Sequence, residues 1–383
     1  MRRRRGLLVV TVAGLLIMGG CLDELGLDDE QEAVDGDSDV DGDLEIHHID
    51  VGQADATLLV TPTGETILID TGDWRQDGQE VIDYLEAEGI ERIDHLVATH
   101  AHADHIGGHA AVIEHFEENG AGVGAAYDSG VTHTSQTYEN YLDAVEEHEV
   151  RLFQVVDGDT LPLEDETVEA TVLNPPDDDS SVDLHYNSVT LAVEFGEFSY
   201  LTTGDAEQQA EERLVEEHGE TLGADAYQAG HHGSSTSSTP PFLDAVEPDI
   251  AVISSALESQ YGHPHDEVLE SFAERGVETY WTAVHGDIVL TTDGTDVSVT
   301  TEHEATTDPA ALLERKHEAQ STAESLALSS GPDRSSSALD RSRGEMGEVG
   351  QIGQTGVSTP ELEANSGPEP GPAVDDPTEP MTG

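Results

Sequence analysis

The 383-residue sequence predicts a mixed α/β (α+β) fold, with two packed sheets covered by helices on both outer faces in a four-layer αββα sandwich. Three observations predict it. Apolar periodicity is regular from residue 44 to about 300 and fades on either side. Within that span strand-length runs alternate with segments of helical spacing, and the early strands are joined by hairpin turns. A loop rich in potential metal ligands leaves the carboxyl end of one of these strands, where open sheets of mixed proteins place their chemistry.

In order, Leu44 to Gly52 alternates like a strand, Gln53 to Ala56 turns, and Thr57 to Val60 is the next strand. Pro62-Thr63-Gly64 makes a hairpin turn into Thr66 to Gly72, an apolar strand carrying Asp70 at its end. Gln79 to Gly89 has helical spacing and closes on glycine. Ile93 to Ala98 reads as a strand, Gly108 to Glu118 as a helix, Gly122 to Tyr127 as a strand and Thr134 to His148 as a helix. Strands follow at Arg151 to Val156 and Thr167 to Leu173, then a loop from Asn174 to Ser181. Phe198 to Asp205 is a strand ending in Thr-Gly-Asp, ahead of a helix from Ala206 to His218. Ala226 to Gly230 leads into the polar loop His231-His232-Gly233-Ser234-Ser235, and Ile250 to Ser255 leads towards Tyr261-Gly262-His263-Pro264-His265.

The ligand-rich loop is Thr99-His100-Ala101-His102-Ala103-Asp104-His105-Ile106-Gly107-Gly108. Alternate residues on an extended loop point the same way, so His100 and His102 can grip one cation. Asp104 and His105 then face a second position. Imidazole with carboxylate suits zinc, manganese or iron(II) better than calcium or magnesium.

This motif resembles the metallo-β-lactamase superfamily. The phrase His48-Ile49-Asp50-Val51-Gly52-Gln53-Ala54-Asp55-Ala56 is similar to the opening of the extracellular metallo-β-lactamase-like domain of the competence protein ComEC, with Ala54 where that family usually has glycine. The resemblance covers roughly residues 44 to 300. It implies a hydrolase with two divalent cations, zinc or alternatively manganese. It makes Asp70 a support of the metal loop through hydrogen bonds, and Asp205 a bridge whose carboxylate offsets the repulsion of the two cations. His231 closes the second site, and His232 and His263 line it as ligand, phosphate contact or proton donor. Many members carry another ligand histidine near residue 187. ComEC-like members have an Asn-x-Ser-like signature there, which Asn187-Ser188 resembles; His185 is the other candidate for that corner. Ser234 and Ser235 are candidate anion contacts. The implied chemistry is attack by a metal-bound hydroxide, with Asp104, His232 and His263 beside the reacting atoms and a histidine such as His263 protonating the leaving group. The expected activity is that of a phosphodiesterase or nuclease acting on a phosphodiester such as DNA. Hydrolysis of a phosphocholine ester or lactone, or metal and ligand binding without catalysis, are the alternatives.

Acids outnumber bases 82 to 14, for a formal charge of −68, and Lys316 is the only lysine. Such a surface resembles that of proteins from salt-loving archaea. At molar salt the Debye length is only ~3 Å, so self-repulsion is screened. The same screening weakens basic patches, so nucleic acid would have to be held mainly by the metals.

Residues 1–21 read as a targeting segment: Arg2 to Arg5, an apolar run from Gly6 to Gly20, then Met18-Gly19-Gly20-Cys21, which resembles a lipoprotein cleavage site. A lipid on Cys21 would hold the chain to the outer face of the cytoplasmic membrane; without it the protein would be secreted. Cys21 is the only cysteine, which excludes an internal disulfide and a thiolate ligand. Residues 22–43 read as an acidic linker, 44–302 as the folded domain, and 303–383 as a disordered tail whose one stretch of helical spacing is Ala310 to Ala327. No protein partner is expected.

Overall fold

The computed structural model describes residues 40–177, 181–219 and 221–329. The chain divides after Ser330 into two units, and all described residues belong to the first. The targeting segment with Cys21, most of the acidic linker and the tail past residue 329 lie outside the described residues.

The first sheet starts as an antiparallel meander of β1 (Leu44–His48), β2 (Thr57–Val60) and β3 (Thr66–Ile69). Three parallel strands extend it, β4 (Ile93–Val97), β5 (Val123–Asp128) and β6 (Leu152–Gln154). Their crossovers are α1 (Gln79–Ala87), α2 (His109–Asn119) and α3 (Gln136–Glu147). Parallel neighbours require such crossovers.

The second sheet has an antiparallel half, β7 (Val168–Asn174), β8 (Thr190–Phe195) and β9 (Phe198–Thr202), and a parallel half, β10 (Ala226–Gln228), β11 (Ile250–Ile253) and β12 (Glu278–Trp281). Helices α4 (Gln208–His218), α5 (Pro240–Val246) and α6 (Asp266–Arg275) connect the parallel strands. After the short α7 (Thr282–His285) the chain returns to the first sheet. There β13 (Ile288–Thr292) pairs antiparallel with β1, Leu44 opposite Thr292, and β14 (Val297–Thr301) closes that edge.

Strand alternation sorts the side chains into layers. Ile67 and Ile69 point between the sheets, where they join Ile46, Val97, Val193 and Val252. Leu68, between them in sequence, joins Leu58 and Leu96 on the other face, under Leu85, Val112 and Phe116 of the helices. On the far side Leu201, Tyr227 and Ile253 pack beneath Leu214, Phe242 and Phe272. Three cores separate four layers, αββα, as the pattern of elements predicts.

Three expectations need correction. The first strand ends at His48, not Gly52, because Asp50 N–H turns away to the Asp287 carboxylate (2.8 Å) and Gly52 adopts φ +72°. The strand towards Asp205 ends at Thr202, and the Thr203–Ala206 turn carries the aspartate clear of the sheet. The tail is not structureless from residue 303: α8 (Pro309–Ser329) packs on α6. Leu312 is buried there, and Lys316 Nζ lies 2.5 Å from Asp266 Oδ1. Leu313 packs beside Leu312 and His317 joins Lys316 on Asp266, an apolar and ionic anchor that acidic composition alone conceals.

Glu211 of α4 is fully buried, and its carboxylate accepts the backbone N–H groups of Ser238 (2.5 Å) and Thr239 (3.0 Å). Burial outweighs these bonds and pushes its carboxyl up to about 7. A raised folded pKa means stability that is complete below the unfolded value and lost as pH rises through the folded one. Thermal unfolding of the protein should therefore show a loss of stability between about pH 4.5 and pH 7. Glu211→Gln should flatten that limb; an unchanged profile would contradict it.

Candidate metal centre

Loops at the carboxyl ends of β3, β4, β9 and β10 meet where the two sheets come together. Thr99 to Gly108 is held by a dense set of backbone contacts: Trp74 N–H donates to Ala103 O (3.0 Å), Asp55 N–H to Asp104 O (3.1 Å) and Gly107 N–H to Gly72 O (3.0 Å). A Cβ on Gly107 would lie 2.1 Å from Trp74 N and 2.5 Å from Ala103 O, so only glycine allows this approach.

Two groups of converging ligand atoms that include Asp205 result, beside a third made of His185, Glu207 and His231. One is His100, His102, His185 and Asp205; the other is Asp55, His105, Asp205 and His232. They share Asp205. Its Oδ1 lies 3.1 Å from His105 Nε2 and 3.9 Å from His232 Nε2. Its Oδ2 lies 3.5 Å from His100 Nε2 and 4.0 Å from His185 Nε2. The two oxygens thus face opposite groups. Gly204, at φ +50°, makes the turn; a Cβ there would sit 2.4 Å from Ser188 Oγ, which itself accepts the Asp205 N–H (3.0 Å).

The donors are oriented from behind. Asp70 Oδ1 accepts Thr99 N–H (2.9 Å), and its Oδ2 lies 2.7 Å from His105 Nδ1. That bond puts the His105 proton on Nδ1 and turns Nε2 to Asp205. His232 Nδ1 donates to Ser254 O (3.1 Å), which turns its Nε2 inward in the same way. His100 Nε2 and His102 Nδ1 approach to 2.8 Å.

The donor set fits a cation. Asp55 Oδ1, His105 Nε2, Asp205 Oδ1 and His232 Nε2 are all buried without a hydrogen-bond partner. Burial, reinforced by neighbouring rings, keeps His100 neutral to well below the usual range and lowers His102 to about 4, and a neutral imidazole is the ligand form. Burial alone would also lower His105, but Asp205 and Asp70 override it and hold a positive charge there. Burial likewise opposes charge on His232, but the Asp55 and Asp205 carboxylates raise it well above the usual value. Buried carboxylates thus draw protons onto the rings between them, in the place a divalent cation would take.

A family model for the metallo-beta-lactamase superfamily matches residues 49–256, more than half of the chain. The chain belongs to the metallo-β-lactamase superfamily. Three relatives are similar over more than half of the chain. ComE operon protein 3 of Bacillus subtilis is 30% identical over 262 residues, 64% of this chain and 32% of that protein. Competence protein ComA of Neisseria gonorrhoeae is 30% identical over 238 residues, 62% and 30% of the two chains. Recombination protein 2 of Haemophilus influenzae is 32% identical over 252 residues, 64% and 28%. The chain spans about a third of the length of these relatives.

Within this superfamily site the structure redistributes several residues. His231 is not in the second group; His232 is. Both lie in a left-handed turn, φ +52° and +56°, so their rings diverge. The His232 side chain is 2% exposed, whereas His231 is 19% exposed and faces Asp205 Oδ2 at 3.5 Å from the other side. Asp104 is displaced from the second group by Asp55, because the Gln53–Ala56 turn packs directly against the metal loop. The Asp104 carboxylate instead lies 3.4 Å from His232 Nε2 on the open side. Asn187 does not face the cations: its Nδ2 donates to Ser181 O (3.2 Å) and Asp183 O (2.8 Å), bracing the loop that delivers His185. Ser234 is buried and bonded to Thr236 Oγ1 (3.0 Å), so of the two serines only Ser235 is open to solvent.

Besides Asp55, two residues escaped the sequence pattern. Glu207 Oε1 lies 3.5 Å from His185 Nδ1 and 3.4 Å from His231 Nδ1, behind both rings. Gln53 Nε2 lies 3.4 Å from His263 Nδ1. The place of Glu207 at the N-cap of α4, two residues past Asp205, was the available signal.

Replacement of Asp70 tests the orienting layer. Asp70→Asn should lower metal affinity and any metal-dependent activity by about 10–100-fold, the usual effect of removing the partner of a ligating histidine. Metal titration by calorimetry measures it, and unchanged affinity would show that His105 is oriented by other contacts.

Proposed function

We propose that this chain is a metal-dependent phosphodiesterase that acts on nucleic acid outside the cytoplasm. The observation that carries the reading is the shared Asp205, with one oxygen towards each group of ligand atoms. His100, His102 and His185 would hold one cation, and Asp55, His105 and His232 the other, with zinc or manganese suited to these donors. When bound, such a pair supplies Lewis acidity to a phosphoryl group and lowers the pKa of water. The names of the relatives, a competence protein and a recombination protein among them, favour nucleic acid as the substrate.

The protein's own residues then have distinct tasks. Asp70 and the Ser254 carbonyl fix which nitrogen of His105 and His232 faces inward. Gln53, donating to His263 Nδ1, leaves the His263 proton on Nε2, and burial together with the neighbouring histidines keeps the ring neutral, so that Nε2–H can hydrogen-bond a phosphoryl or leaving oxygen. Asp104, on the open side of His232, meets the substrate before any buried group does. Export, and a lipid on Cys21, belong to the same reading and rest on the residues before that cysteine.

The test is an assay of the full-length protein in molar potassium chloride, with zinc or manganese, on single-stranded DNA and on a chromogenic phosphodiester. Cleavage that stops with EDTA is expected. A folded, metal-loaded protein that cleaves neither substrate would overturn the proposal and redirect it to lactones and phosphocholine esters.

A further inference from the structure

Five large apolar side chains stand exposed among the described residues: Trp74, Leu152, Phe153, Val182 and Tyr261. Leu152 and Phe153 lie on β6, an edge strand of the first sheet. The other three sit on three separate loops next to the metal centre, those of Asp70, His185 and His263. Trp74 is 53% exposed, and its backbone N–H is bonded to Ala103 in the middle of the metal loop. Tyr261 is 58% exposed, with its ring 5.7 Å from that of His263, which is itself 5.7 Å from the ring of His231. Val182, 83% exposed, precedes His185 on the loop that Asn187 braces. The aromatic rings have charged or polar planes beside them: Arg75 Cζ is 5.2 Å from the Trp74 ring centre, and the Tyr261 ring is tilted by 33° to His263.

We infer that Trp74 and Tyr261 are stacking platforms that hold unpaired bases of a single nucleic-acid strand beside the metal centre. The inference rests on the proposed phosphodiesterase reading and names the substrate form. A chain at −68 cannot gather a polyanion with a basic surface, and molar salt removes most of what phosphate contacts offer. Base–aromatic stacking is largely independent of salt and tolerant of sequence, and it needs flat exposed rings. Duplex bases present only their edges, so such rings select single strands. A lipid surface would call for a contiguous aliphatic patch rather than two aromatic rings on separate loops.

The two tryptophans give a direct readout, because Trp281 is fully buried and Trp74 is exposed. Full-length, metal-loaded protein in molar potassium chloride is titrated with a nuclease-resistant phosphorothioate oligothymidylate, and separately with an abasic oligomer of the same length. The thymidylate should quench indole fluorescence and the abasic oligomer should not. By calorimetry, which does not need the Trp74 indole, Trp74→Ala and Tyr261→Ala should each weaken thymidylate binding by about 5- to 100-fold, while Trp74→Phe and Tyr261→Phe retain it. In cleavage of single-stranded DNA the alanine variants should raise KM and spare kcat. Circular dichroism establishes that each variant is folded. Equal affinity for the abasic oligomer, or alanine variants that bind like the parent, would overturn the stacking inference while leaving phosphodiester cleavage intact. A blue shift with phosphatidylglycerol vesicles and none with oligonucleotide would replace the nucleic acid by a lipid surface. Absence of any metal-dependent diester cleavage would overturn the underlying reading as well.

Discussion

Asp205→Asn is expected to remove one cation per chain and to lower metal-dependent cleavage by at least ~10³-fold, because activation of water and stabilisation of a phosphoryl group both depend on the pair. The reason is geometric. Oδ1 faces His105 at 3.1 Å and Oδ2 faces His100 at 3.5 Å, so the amide nitrogen of asparagine must replace an oxygen towards one group or the other. The substitution keeps the shape of a side chain that is buried beneath the Thr-Gly-Asp turn, so the fold should persist. His102→Ala provides the contrast. His102 belongs to one group only, and the other keeps all four of its members. That variant should retain one tightly bound metal. Elemental analysis and cleavage rates measure both effects; two metals and near-normal turnover in Asp205→Asn would show that this carboxylate bridges nothing.

Removal of metal should destabilise the protein strongly. A ligand present at about a thousand times its dissociation constant stabilises the folded state by about 4 kcal/mol. For a domain of this size that corresponds to roughly 5–15 °C in Tm. The structural cause is the set of buried ligand atoms left without hydrogen-bond partners, Asp55 Oδ1, His105 Nε2, Asp205 Oδ1 and His232 Nε2, which a divalent cation would compensate more fully than the protons that otherwise take its place. Scanning calorimetry with and without EDTA, at fixed molar salt, measures it. The Asp205→Asn variant should show a smaller difference than the parent. Equal melting temperatures with and without metal would show that these donors are not a site.

Local pattern carried the fold well where elements are regular. Residues 66–69 and 93–97 could be read because their apolar runs are short, bounded by turns and followed by helical spacing. Helices α5, α6 and α7 and strands β8 and β12 to β14 were not read, and the place of β13 has no local signal, since it pairs with β1 from more than 200 residues downstream. Helix α8 was legible as helical spacing over Ala310 to Ala327, but its docking on α6 was not, because it rests on a few contacts, Leu312 and Leu313 against the core and Lys316 and His317 on Asp266.

The site divides in the same way. His100, His102, His105 and Asp205 are local motifs and could be found by spacing. His185 and Asp55 reach the centre through loops whose course is set by Asn187 and by the Asp55–Asp104 and Asp55–Gly72 backbone contacts, and spacing does not report such contacts. The exchange of His231 for His232 turns on two consecutive left-handed residues, a conformation with no signal in a His-His-Gly string. Glu207 stands behind two rings that come from different loops, which only the assembled structure brings together.

The most direct measurement is anomalous diffraction from crystals of the full-length protein grown with zinc or manganese. Two peaks are expected, one among His100, His102, His185 and Asp205 and one among Asp55, His105, Asp205 and His232, with the Asp205 carboxylate between them. A single peak, or a peak held by His185, Glu207 and His231 with none beside His105, would contradict the dinuclear centre on which the proposed activity depends.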